Sequence, residues 1–278
     1  MSEEHVNSPV GLKEIILTTG RKQIPELNQV SRDEVDAVTT NALKMVEEFE
    51  TLAQVTPHPK IREDTDVVWD ISAAGVFSKE LKELPEWQDR YRYLSWGGLF
   101  ERTRLRISSA IVRHVVALRA GKLATLLTKE DILEYGPVLL YSGTPDQQEN
   151  LKTALSTLSG KYRFPPQEKI HIIGGVRNPD GTFSDVYNTV DEVRSLAFPE
   201  GLIPRRLVVV SQAQHLVRIL HILGKFNEAL PPTTIVQPYP LLTPKEGRSA
   251  YTIMEVRGTL AAIYGSHSAT PHPYPYQV

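Results

Sequence analysis

His215 and Arg218 stand three residues apart behind an apolar run, in the segment RRLVVVSQAQHLVRIL. Histidine is the side chain whose ordinary pKa lies nearest neutrality, so it can take up or release a proton under physiological conditions. Arginine presents a planar fork of donors suited to a carboxylate or phosphate. Three residues apart on a helix, the two share a face. Leu216, Ile219, Leu220 and Leu223 fall on the neighbouring face at core spacing. The polar pair is therefore free to point towards the end of the preceding strand instead of into the core, and Ser211 and Gln214 join it there. A solvated His and Arg on a surface helix would give the same spacing.

The elements that must position these groups follow from hydrophobic periodicity. The run 207–210 is β-branched and bounded by Pro204 and Gln212, which reads as a buried strand leading into a helix that opens with His215. Further strands are expected at 66–71, 137–141, 169–173 and 233–237, with helices at about 103–120, 146–158, 189–197 and 247–264. Strands alternating with such helices imply an α/β fold: a three-layer Rossmann-like sandwich with a mostly parallel sheet. Residues 1–60 form an N-terminal extension whose amphipathic helix starts at the capping pattern Ser31/Glu34. Residues 61–265 form the α/β domain, with the Trp87–Trp96 segment as an addition to it, and 266–278 a Pro-rich tail.

In open α/β sheets, ligands bind beyond the carboxyl ends of the strands, where helix N-termini offer free N–H groups to anions. Polar residues gather at these junctions. Asp70 and Ser72 follow the first strand; Ser142 and Gly143 follow the second, with Glu149 in the next helix. Asn188, Thr189 and Glu192 open another helix, and Ser211, Gln214, His215 and Arg218 follow the 207–210 strand. Ser142 and Asn188 also have an ordinary use as helix caps. Together the junctions predict one polar pocket. His215 is its first candidate acid–base and Glu192 its second, with a capping role open for Glu192; Arg218 would be the anion ligand.

Other chemistries lack their motifs. The chain has no cysteine, which removes thiolate catalysis, disulfides and Cys-based metal sites. Neither GxxxxGK[ST], GxGxxG nor HExxH occurs, and Ser142 lies in YSGT instead of a GxSxG elbow. A formal net charge of −2 argues against nucleic-acid binding through bulk phosphate neutralisation. No segment approaches the roughly 20 apolar residues of a membrane span, and MSEEHVNSPVG is not a signal peptide, so a cytoplasmic location is expected.

The ordered set of an SG turn (Ser142, Gly143), an NT-x-x-E helix start (Asn188, Thr189, Glu192) and a VVVS-x-x-x-H-x-x-R strand–helix (Ser211, His215, Arg218) resembles the SanA, ElyC and YdcF family. That family carries SGG, NTxEN and VTSxxHxxR at these places. By this resemblance Glu255 corresponds to an acidic residue near the family's end, and either Arg106 or Arg113 to an arginine after the first strand. The departures are WDISAAG in place of a VLG-type first turn, SGT for SGG, Val193 after Glu192, and no apolar span before the α/β domain. The resemblance implies a Rossmann-like pocket, and relatives are linked to envelope and lipid-carrier metabolism and in places to S-adenosylmethionine.

The resulting expectation is an enzyme, a hydrolase or transferase, acting on a small anionic metabolite that is phosphorylated or nucleotide-like. The alternative is a non-catalytic module that binds an adenosine-containing ligand such as S-adenosylmethionine. No carboxylate that would orient His215 is evident from sequence spacing.

Overall fold

A computed structural model of the chain describes residues 9–54, 60–71, 97–142, 165–173, 176–177, 183–184, 189–243 and 248–265. Its centre is a five-stranded sheet of β1 (Thr65–Ile71), β2 (Val138–Ser142), β3 (Ile170–Ile173), β6 (Arg206–Gln212) and β7 (Ile235–Leu241). The spatial order is β3-β2-β1-β6-β7 and every pairing is parallel. A short antiparallel pair, β4 (Val176–Arg177) and β5 (Phe183–Ser184), stands outside it. The chain runs outward from β1 to β3 and then crosses back to β6 on the other side of β1. The carboxyl ends of β1 and β6 therefore flank the point where strand order reverses, the crevice in which such sheets hold ligands.

The strand sequences explain the all-parallel sheet. TDVVWDI and RLVVVSQ are almost entirely buried, as strands covered on both faces must be. Val67, Trp69, Leu207 and Val209 face α5 (Thr189–Arg194) and α6 (Ala213–Lys225) through Val193, Leu216 and Ile219. Val68, Leu139, Val208 and Val210 face α3 (Gly97–Ala120) and α4 (Lys129–Tyr135) through Ile111, Val112, Val115 and Ile132.

The N-terminal extension holds two helices, where a single one was expected. α1 (Pro9–Gln23) and α2 (Arg32–Gln54) are joined by a 3₁₀ turn at Pro25–Asn28. Ile16, Leu27, Val35, Ala42 and Val46 pack against Val217 of α6 and against Ile253, Val256 and Leu260 of α7 (Arg248–Tyr264). α6 is thus covered on its sheet side and on its outer side. This added helical packing makes α6 a core helix.

Three elements differ from the expected pattern. α3 begins at Gly97, ahead of the expected 103, and α4 was not anticipated. β7 continues through Pro238 and Pro240, where a loop was expected to begin. Ile235 N donates to Arg205 O, so the alternate residues 236, 238 and 240 face away from β6. Prolines lack the N–H that an outer edge would present, so they fit there and block pairing with another strand. The Trp87–Trp96 segment and the 146–158 helix lie outside the described residues. Among the described residues, no helix is long and apolar enough to cross a membrane.

Candidate functional site

Strand alternation sends Asp70 to the α3 side of the sheet, one residue before β1 ends. Its carboxylate is fully buried, and Arg104 and Ser108, one helical turn apart on α3, meet it. Arg104 Nε donates to Asp70 Oδ1 at 3.2 Å and Ser108 Oγ donates to Oδ2 at 3.0 Å. The arginine at the carboxyl end of the first strand is Arg104, while Arg119 of the same helix bonds Thr65 O and Asp66 at its start. Arg106 is exposed, and Arg113 donates to the carbonyl of Ala124. The signal for Arg104 was in the sequence. It lies in the same stripe as Ser108, Ile111 and Val115, so it had to face the sheet.

Arg104 also reaches the neighbouring strand. Its Nη1 donates to Gln212 Oε1 at 3.4 Å, and Ser211 Oγ lies 3.4 Å from both Gln212 Oε1 and Ile71 O. The ends of β1 and β6 are thereby tied by one polar chain running from Asp70 to Ser211.

On the other side of β6, His215 is completely buried, contrary to the expectation of a side chain free of the core. The cause is the extra helical layer over α6. Its orienting carboxylate exists after all, supplied by Glu255 of α7 from 40 residues away, with Oε2 2.9 Å from His215 Nδ1. Arg218 Nε lies 3.0 Å from the same oxygen, and Arg218 Nη2 lies 3.2 Å from His215 Nδ1. Arg218 and Glu255 make opposite demands on Nδ1, because arginine only donates and an ionised carboxylate only accepts; the shorter contact, 2.9 Å to the carboxylate, places the proton on Nδ1. Arg218 Nη2 then meets Nδ1 donor to donor, while Arg218 Nε and His215 Nδ1 share the Glu255 oxygen.

The protonation states agree with that assignment. Burial pushes the His215 ring below its ordinary basicity; Glu255 opposes this, while Arg218 and Arg104 add to it. For Glu255, burial pushes the carboxyl up, but Arg218, His215 and a hydrogen bond from Tyr251 together hold it below the usual carboxylate range. The pair is therefore neutral imidazole and carboxylate, which leaves Nε2 of His215 as a bare acceptor. That nitrogen is buried without a hydrogen-bond partner among the described residues. An orphaned buried acceptor costs about 1–3 kcal/mol, and such groups in native folds mark strain or a missing partner.

Gly258, one turn beyond Glu255, completes this cluster. A Cβ there would stand 2.6 Å from Arg218 Nη1 and 2.8 Å from Cδ, so the guanidinium occupies the space that glycine leaves. Asp70 and Glu255 balance Arg104 and Arg218, and with His215 neutral the side-chain charges of the cluster cancel.

The other expected residues divide. Gln214 has a structural partner on each side of its amide, donating to Glu50 Oε1 at 2.6 Å and accepting from Thr243 Oγ1 at 2.8 Å. These bonds pin α2 and the segment after β7 onto the first turn of α6. Ser142 is fully buried and accepts from the indole Nε1 of Trp69 at 3.0 Å. Thr189 and Glu192 are buried on α5, in the same layer as α6, where Ser195 Oγ donates to the Glu192 carbonyl at 2.9 Å. Ser72, Gly143, Glu149 and Asn188 lie outside the described residues. Among the described residues, no group of three or more acidic or histidine side chains is placed to hold a metal ion. Comparison with family models, curated proteins and solved structures finds no match for this chain.

Proposed function

We propose that the protein is an enzyme acting on a small anionic metabolite, phosphorylated or nucleotide-like, by hydrolysis or group transfer at the carboxyl ends of β1 and β6. The observation that carries this reading is His215: its Nδ1 is fixed on Glu255 at 2.9 Å and its Nε2 is a buried acceptor without a partner among the described residues. A histidine oriented by a carboxylate, with its second nitrogen unprotonated, is equipped to remove a proton from water or from a hydroxyl. Burial keeps that nitrogen unprotonated at neutral pH. His215 is thus the general base, Glu255 its orienting group and Glu192 the second candidate base. Distant kinship to the SanA, ElyC and YdcF family, resting on Ser211, His215 and Arg218, belongs to the same proposal.

The cancelled side-chain charge favours a second reading. A non-catalytic module for an adenosine-containing ligand such as S-adenosylmethionine has no need of a strongly positive pocket. A thermal-shift screen of phosphosugars, nucleotides and S-adenosylmethionine on wild type and His215→Ala separates the two. A ligand at 100 times its dissociation constant adds about 2.7 kcal/mol of stability. For an enzyme, His215→Ala keeps the shift and loses turnover. A ligand that stabilises wild type but is never turned over defeats the enzymatic reading.

A further inference from the structure

The N-terminus of α6 stands without a side-chain cap. Gln212 occupies the cap position with extended backbone, φ −62° and ψ 146°, yet its amide oxygen accepts from Arg104 and Ser211 instead of from α6. The helix is 13 residues long and begins where β6 ends, at the reversal point of the sheet. Its first-turn N–H groups and its dipole favour an anion there. The second, independent feature is His215 in that same first turn, fully buried with its Nε2 unpartnered among the described residues. Helical Cα–Cβ bonds tilt towards the N-terminus, so the Cα–Cβ bond of His215 is directed towards the uncapped end. Arg104, which holds the cap residue, also bears on the basicity of that ring.

We infer that the first turn of α6 is an anion subsite, and that the ligand presents to it an oxyanion together with a hydroxyl that donates to His215 Nε2. This rests on the proposed reading of His215 and moves the anion from Arg218, whose charge is spent on Glu255, to backbone N–H groups. It also explains how a cluster of cancelled side-chain charge holds an anion. The ligand class is narrowed accordingly. A phosphate ester beside a hydroxyl, or a phosphate carrying its own proton, satisfies both features; a fully deprotonated tetrahedral anion satisfies only the first.

Inorganic phosphate and sulfate are the probes, titrated by calorimetry into the full chain at neutral pH. Phosphate retains an O–H there and sulfate does not, so wild type binds phosphate in preference to sulfate. Gln212→Asp supplies an N-cap carboxylate that competes for the same N–H groups and repels the anion; it weakens phosphate about tenfold or more. Gln212→Ser supplies a neutral cap and weakens it less, which covers the case in which the aspartate variant does not fold. His215→Ala still binds anions but no longer distinguishes phosphate from sulfate. Equal binding of the two anions by wild type, or phosphate binding untouched by both Gln212 variants, overturns the subsite. Phosphate binding that follows these rules in a protein without turnover leaves the subsite standing and defeats only the enzymatic reading.

Discussion

Gly258→Ala tests the packing that holds the His215 cluster together. In an ordinary helix interior this substitution is stabilising by about 1 kcal/mol, because alanine loses less backbone freedom on folding. Here the new methyl would arrive 2.6 Å from Arg218 Nη1, which must retreat to the 3.4 Å of ordinary contact. Arg218 is anchored through Nε at 3.0 Å from Glu255, so the retreat loosens that ion pair. Breaking a buried pair costs about 3–5 kcal/mol. The Arg218 side chain is 19% exposed and Glu255 keeps His215 as a partner, so the lower end applies. Set against the gain in helix propensity, the net loss is about 2 kcal/mol. Urea denaturation of a double-mutant cycle reads this directly. In an Arg218→Ala background nothing obstructs the methyl, and Gly258→Ala stabilises by about 1 kcal/mol. If it stabilises wild type by the same amount, Arg218 does not depend on the glycine and the description of the cluster is wrong.

Two further outcomes follow from buried groups. The folded-state pKa of His215 is depressed, so below its ordinary value near 6.5 the unfolded chain takes up a proton that the folded chain refuses. Stability therefore falls on acidification from about pH 6.5, by up to about 1.4 kcal/mol per pH unit. Glu255, also depressed, adds its loss only once the pH drops through and below the ordinary carboxylate range. Denaturation midpoints of wild type and His215→Asn across this window should show a shallower slope in the variant; equal slopes would mean that His215 protonates freely when folded. Ser142→Ala orphans the buried indole N–H of Trp69 and should cost about 1–3 kcal/mol in the absence of any ligand, measured by the same denaturation.

What could be read from the sequence was what local periodicity controls. β1 and β6 each centre on an apolar run, VVW and LVVV, because both faces of a parallel sheet are covered, and α6 declared itself through Leu216, Ile219 and Leu223. The burial of His215 was hidden. It depends on α2 and α7 packing over α6, a tertiary event that no spacing near residue 215 encodes. The partners of the polar groups were hidden for the same reason. Glu255 lies 40 residues from His215, and Arg104 lies 34 from Asp70. Gln214 read as a pocket residue because its contacts with Glu50 and Thr243 come from distant segments.

The central claim is that His215 is held neutral, with its proton on Nδ1 and a bare Nε2. Long-range ¹H–¹⁵N correlation spectra of histidine-labelled protein report both ring nitrogens directly. The expected result is a protonated, pyrrole-type Nδ1 and an unprotonated, pyridine-type Nε2 at neutral pH, persisting as the pH falls below 6.5. An imidazolium at neutral pH, or a proton on Nε2 with Nδ1 bare, would contradict it.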